Sequence, residues 1–320
     1  MSLRNTTYVG FSFGTWVPSR RTEVDAVATL QIGLNGIDWD LPSRRAPRGL
    51  TGNTLHPTVL DRTVFEWFFN TRMFSRHVFG VDAPFGWPVG FRSFMDGVMP
   101  NPMPEMDDLV ENPILYRECD RLAYDLLGVE PVPMLDQGDS ITKAQTVIRI
   151  LQQRVGAHVG FVGRSERGSW CDLDTIIIET DPVCADCNPA FKKVRRSLFA
   201  QINRSLQEQG KPRLKTVEKS ALSSALIAMG TDQAICDPGD SDTFYFTLSG
   251  LLARNDAWRG SWDANRDRTE SLISRDQVEI DLDGRSSKWP YDASKYQTEG
   301  FPMYPVSNKA YVKWKKSLVT

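Results

Sequence analysis

Several things are scarce in this chain of 320 residues, and each scarcity excludes something. No apolar run approaches the roughly 18 residues that a membrane helix needs. Net charge is -2, so nonspecific nucleic-acid binding through overall charge is not expected, although a local basic groove stays open. The N-terminal MSLRNTTYVG has no charged segment followed by a long apolar core, so no signal peptide is expected. The five cysteines are an odd, scattered set, which suggests a reducing compartment and a cytoplasmic default. The three histidines, His56, His77 and His158, show no ligand spacing. Internal repeats, low-complexity tracts and a clean linker are also missing.

What is present reads as a globular α/β chain. Thr6 to Gly14 predicts a first strand, and Val24 to Ile32 a second, paired with it as a hairpin. Residues 40–57 read as a long loop carrying Arg44, Arg45 and Arg48. Residues 58–76 place Leu60, Val64, Phe68 and Met73 at helical spacing. Residues 84–113 suggest an irregular wall or lid. Helices are expected at 115–127, 141–155, 190–209, 214–229 and 247–257. Further strands are expected at 78–82, 158–162, 174–179 and 276–282, with an aromatic segment at 299–305. The organisation predicted is one compact domain, with a core over 1–235 and an extension over 236–320 packed on it.

Two strands end in the same way. Val78 to Val81 closes on Asp82, followed by Ala83-Pro84; Ile176 to Ile178 closes on Glu179, followed by Thr180-Asp181-Pro182. Ligand sites in open α/β sheets gather at strand carboxyl ends. Two carboxylates meeting there would bind a hard cation such as Mg²⁺. The other reading is that both cap nearby helices or pair with an arginine.

Three segments in order carry a resemblance. Asp82-Ala83-Pro84-Phe85-Gly86-Trp87-Pro88, then Arg117-Glu118-Cys119-Asp120-Arg121-Leu122, then Glu179-Thr180-Asp181-Pro182 resemble the I-D-A-P-L-G-x-P, R-x-C-D-x-x-L and E-x-x-P segments of a domain-of-unknown-function family of predicted RNase H-like nucleases. The likeness runs over about residues 6–230. It implies an RNase H-like fold, a five-stranded mixed sheet flanked by helices, here with irregular insertions and a C-terminal extension. It also implies metal-dependent phosphodiester hydrolysis, in which cations activate water and steady the leaving oxygen. Asp82 and Glu179 become the expected Mg²⁺ or Mn²⁺ ligands and catalytic residues, and a nucleic acid or nucleotide the expected partner. Arg117, Asp120 and Arg121 are expected to bind substrate, with Arg117 orienting a phosphate.

The chain departs from that pattern twice. Ser12 stands where the family's first strand offers Asp, and Ser224 where the late helix offers Asp before Ala. Both are expected to line the site. Asp25, Asp38, Asp181 and Glu218 are the acids that would complete a metal centre if they reached it. Without them, a catalytically degenerate binding or interaction protein is the alternative. A nucleotide-binding or sugar-kinase relative ranks last, since no glycine-rich phosphate loop is evident.

Other groups have plainer readings. Cys184-x-x-Cys187 is one C-x-x-C; zinc there is disfavoured, since Cys171 and Cys236 would have to supply the remaining ligands. Lys192, Lys193, Arg195 and Arg196, with Lys211, Arg213 and Lys215, read as solvated helix faces that could steer an anion. Trp87, Trp170, Trp258, Trp262, Trp289 and Trp314 pin loops or stack on a ligand.

Overall fold

The computed structural model describes residues 6–16, 25–33, 36–45, 50, 64, 76–98, 112–159, 171–236, 259–260 and 302–306. Six strands form one mixed sheet: β1 (Thr6–Ser12), β2 (Ala26–Gly33), β3 (Gly36–Asp40), β4 (Arg76–Asp82), β5 (His158–Val159) and β6 (Thr175–Glu179). The spatial order is β3-β2-β1-β4-β6-β5. β1, β2 and β3 form an antiparallel meander. β4 runs parallel to β1, β6 parallel to β4, and β5 parallel to β6.

The expected five strands are thus six. The addition is β3, which falls just before what reads as loop, while the strand expected at 158–162 is described as the two-residue edge strand β5. The long loop also contains a one-turn helix, α1 (Pro42–Arg45), and the irregular wall contains α2 (Val89–Met95). The helix expected at 58–76 lies outside the described residues except for Val64, which is helical and buried, and Arg76, which begins β4. The elements expected at 247–257 and 276–282 also lie outside them.

Helices cover both faces. On one face lies α4 (Gly138–Val155), whose Ala144, Val147, Ile148 and Leu151 pack on Val9, Phe11, Phe79, Val81 and Ile177. On the other lie α3 (Glu118–Leu127), α6 (Pro189–Glu208) and α7 (Thr216–Cys236). The apolar stripe of α6 is Phe191, Val194, Leu198, Ile202 and Leu206, at the three- and four-residue spacing that puts them on one side. Asn188 starts it by accepting from the N–H of Ala190 and Phe191, with Pro189 next in the chain.

α7 is different, because residues 221–229 are all buried. It is the central helix, pressed directly on the sheet. A Cβ on Gly10 would collide with the Ala221 carbonyl, and one on Gly80 with the Ser224 carbonyl. The two glycines pair across β1 and β4, so the smallest side chains lie together where the helix backbone touches the strands. The contacts fix its direction. Ser220 meets Asp82 at the carboxyl end of β4, whereas Asp232 meets Tyr8 and Arg76 at the amino ends of β1 and β4. α7 therefore runs antiparallel to the central strands.

The C-terminal part contributes a strand pair, β7 (Arg259–Gly260) with β8 (Pro305–Val306). Just before β8, the N–H of Met303 donates to the Glu179 carbonyl at 2.8 Å, and Met303 and Tyr304 are buried in the core.

Candidate functional site

The carboxyl ends of β1, β4 and β6 lie together, and their register decides what meets. Ser12 is level with Asp82, so the two share a face of the sheet. Ser12 Oγ donates to Asp82 Oδ2 at 3.4 Å, and Ser220 Oγ of α7 donates to the same oxygen in a short hydrogen bond. Glu179 is level with Val81, not with Asp82. Pleating then sends Asp82 and Glu179 off opposite faces. The two carboxylates expected to share a cation have separate partners.

Glu179 is 2% exposed and is held by α3. Arg117 Nη1 lies 2.7 Å from its Oε1, and the Phe85 N–H donates to its Oε2 at 2.9 Å. The same guanidinium grips Asp120, with Nη2 to Oδ1 at 2.8 Å and Nε to Oδ2 at 3.1 Å. The Arg117 N–H also donates to Asp120 Oδ2 at 3.0 Å, which fixes the start of α3. Arg117 is thus a buried clamp between two carboxylates, where a phosphate-orienting role had been expected. Arg121 is half-buried on α3 and is not among the residues that line the cleft.

Burial dominates the ionisation of both strand-end acids. It pushes the Asp82 carboxyl up to about 6; the Ser220 hydroxyl pulls it back, Asp181 adds to the rise, and Ser12 opposes it. It pushes Glu179 up to about 7 against the pull of Arg117. Burial thus weakens the charged form of both, and for Glu179 the Arg117 guanidinium offsets part of that.

The other candidate acids are engaged elsewhere or lie away from the site. Asp25 is buried against Lys143 of α4 at 2.8 Å and accepts the N–H of Gly14 and Leu50. Glu218 pairs with Arg44 at 2.6 Å. Asp38 is exposed on the edge strand β3. Asp181 starts the one-turn helix α5 (Pro182–Ala185), accepting from the N–H of Val183 and Cys184 at 2.8 Å each. Among the described residues no three His, Cys, Asp or Glu form a group that could hold a metal ion.

Ser224 is fully buried one helical turn beyond Ser220, against Gly80, so it lies beneath the site and does not line it. Ser220 is the residue that reaches Asp82. The sequence contains its signal, because Ser220-Ala221 repeats the Ser224-Ala225 pattern one turn earlier. Cys184 is buried and Cys187 exposed, both free thiols, whereas Cys171 is disulfide-bonded and so is no zinc ligand. A disulfide is disfavoured in a reducing compartment, so the cysteine count is no guide to location. No helix among the described residues is long and apolar enough to cross a membrane.

These strand ends open into a cleft of about 160 Å³. Its floor holds Asp82, Arg117, Asp120, Glu179, Thr180 and Asp181; its sides include Pro84, Glu130, Val132, Val183 and Pro302. No family model, curated protein or solved structure matches the chain.

Proposed function

We propose that this chain is an RNase H-like protein whose strand-end cleft binds a ligand, and that it does not cut phosphodiesters efficiently. The RNase H-like part is supported by the mixed sheet with its antiparallel meander, two further main strands parallel to β1, helices on both faces, and an acid closing β4. The binding part is carried by one observation: Asp82 is flanked by two hydroxyls, Ser12 and Ser220, where a two-cation centre needs carboxylates.

The residues fit Mg²⁺ or Mn²⁺ poorly. Ser12 and Ser220 donate protons into the carboxylate that a cation would need, and both Glu179 oxygens are engaged. One carboxylate with neutral hydroxyls and water is a weak site for a cation that prefers charged oxygen ligands. The acidic lining also disfavours a nucleic acid or nucleotide phosphate.

Mn²⁺ titrated calorimetrically into wild type, Asp82→Asn and the Ser12→Asp/Ser220→Asp double variant tests this. Wild type and Asp82→Asn should give equal, negligible heats, and wild type should not degrade RNA or DNA. The double variant should acquire Mn²⁺ binding, because it places three carboxylates together. Tight Mn²⁺ binding by wild type that disappears in Asp82→Asn, together with cleavage, would establish the nuclease instead.

A further inference from the structure

The cleft has an acidic floor and an apolar rim, and together they specify a ligand chemistry. This inference rests on reading the cleft as a binding site. Five carboxylates line it, from Asp82, Asp120, Glu130, Glu179 and Asp181, against the single guanidinium of Arg117. Arg117 is already bonded to Asp120 and Glu179. Asp181 serves the start of α5. Among the described residues Asp82 takes hydroxyl donors, and no cation acts on it.

A second observation points the same way. Thr180 is level with Asp82 at the end of β6, its N–H bonded to the Val81 carbonyl at 2.9 Å. It lines the cleft and is 3% exposed, yet among the described residues its Oγ1 has no hydrogen-bond partner. Buried hydroxyls are normally paired. A donor entering the cleft would satisfy that oxygen and bring Asp82 its missing positive charge.

The rim supplies the other half. Val132 is 53% exposed and Val183 66%, and both line the cleft. Exposed valines in a cleft that also holds carboxylates suit a group with an aliphatic stem and a charged head, as basic side chains are built. The volume is below the roughly 300–1,000 Å³ of a site for a drug-sized molecule, so the occupant has the bulk of about one side chain.

We infer that the cleft takes an alkyl cation, an ammonium or guanidinium group on an aliphatic stem, with its head at Asp82 and Thr180 and its stem between Val132 and Val183. The cation comes either free or as a lysine or arginine side chain of a partner; the chemistry recognised is the same.

The experiment is a chemical-shift titration that follows the backbone amides of Phe85, Thr180 and Val183. The probes are n-butylguanidinium, n-butylammonium, neutral n-butanol, methylguanidinium and a tripeptide with central arginine and blocked ends. Both butyl cations should give saturable shifts and butanol none. Asp82→Asn should weaken the cations about tenfold or more, as expected when a charge-assisted hydrogen bond is lost. Val183→Ser leaves every carboxylate in place; it should weaken butylguanidinium and spare methylguanidinium, which keeps the test valid if Asp82→Asn misfolds. Tighter binding of the tripeptide would identify a protein side chain, and tighter binding of the free cation a small molecule.

No saturable shift with either butyl cation, or an equal response to butanol, overturns the inference. If a mononucleotide then shifts the same amides, the cleft is still a binding site, with a different ligand. If Mn²⁺ shifts them and phosphodiesters are cleaved, the binding reading falls as well.

Discussion

Replacing Asp82 by Asn should make the protein more stable at neutral pH, and the structure gives the size of the effect. The carboxyl is carried from an ordinary 3.8 to about 6 in the folded state, with burial as the largest cause. A folded value above the unfolded one means that the folded state holds its proton more tightly. The associated stability is fully present below about pH 4, is lost as the pH rises towards 6, and stays lost above it. At about 1.4 kcal/mol per pH unit, the loss at neutral pH is roughly 3 kcal/mol. This is an upper figure, since Asp82 is only half-buried at the cleft. Asn has a similar shape, accepts from Ser12 and Ser220, and does not titrate. Urea unfolding of both proteins from pH 4 to pH 8 should therefore show midpoints that converge at the acid end, draw apart as the pH rises towards 6 and stay apart above it, with the variant higher. Other titrating groups are common to both proteins and cancel in the difference. If wild type instead gains on the variant as the pH rises, the charged form of Asp82 is favoured in the fold, and the argument from burial is wrong. A stabilising substitution here would also mark Asp82 as retained at a cost to stability, which is typical of a working site.

Two further outcomes follow from the same geometry. Gly80→Ala should cost about 3 kcal/mol, because its new methyl meets the Ser224 backbone and not a side chain that can move, and a thermal melt would show it. Arg117→Met leaves two buried carboxylates without their cation and should cost about 3–5 kcal/mol in urea unfolding, with part recovered when Asp120→Asn and Glu179→Gln are added.

Much of the frame was legible because its signals are local. The β-branched run Thr175 to Ile178 gave β6, and the stripe Ile141, Ala144, Ile148 and Leu151 gave α4. Asp82 and Glu179 were visible as strand ends for the same reason. What they do there was not, because it depends on register. Glu179 is level with Val81, and an offset of one residue sends it off the other face. β3 escaped because Gly36–Asp40 is short, starts on glycine and borders a loop-like run. The choice between Ser220 and Ser224 needed the depth at which α7 rests on the sheet, and that depth is set by Gly10 and Gly80, which are distant in sequence. The resemblance implied an Arg117 that orients a phosphate, but Arg117 holds Asp120 three residues on and Glu179 on another element. Clamps of that kind are tertiary, and no local spacing announces them.

The antiparallel lie of α7 along β1 has a consequence for how the chain is made. The hydrogen bond from Tyr8 to Asp232 closes a separation of 224 positions, and Gly10 rests on a helix that begins at Thr216. β1 is therefore made well before the helix that covers it. Until α7 is released, one face of β1 has no lid, although its edge partners β2 and β4 precede α7 in the chain. Contacts of such long range make folding slow and leave intermediates prone to aggregation. A fragment that stops before Thr216 would lack the lid altogether, so any fragment that keeps this face of the sheet covered must include Thr216–Cys236.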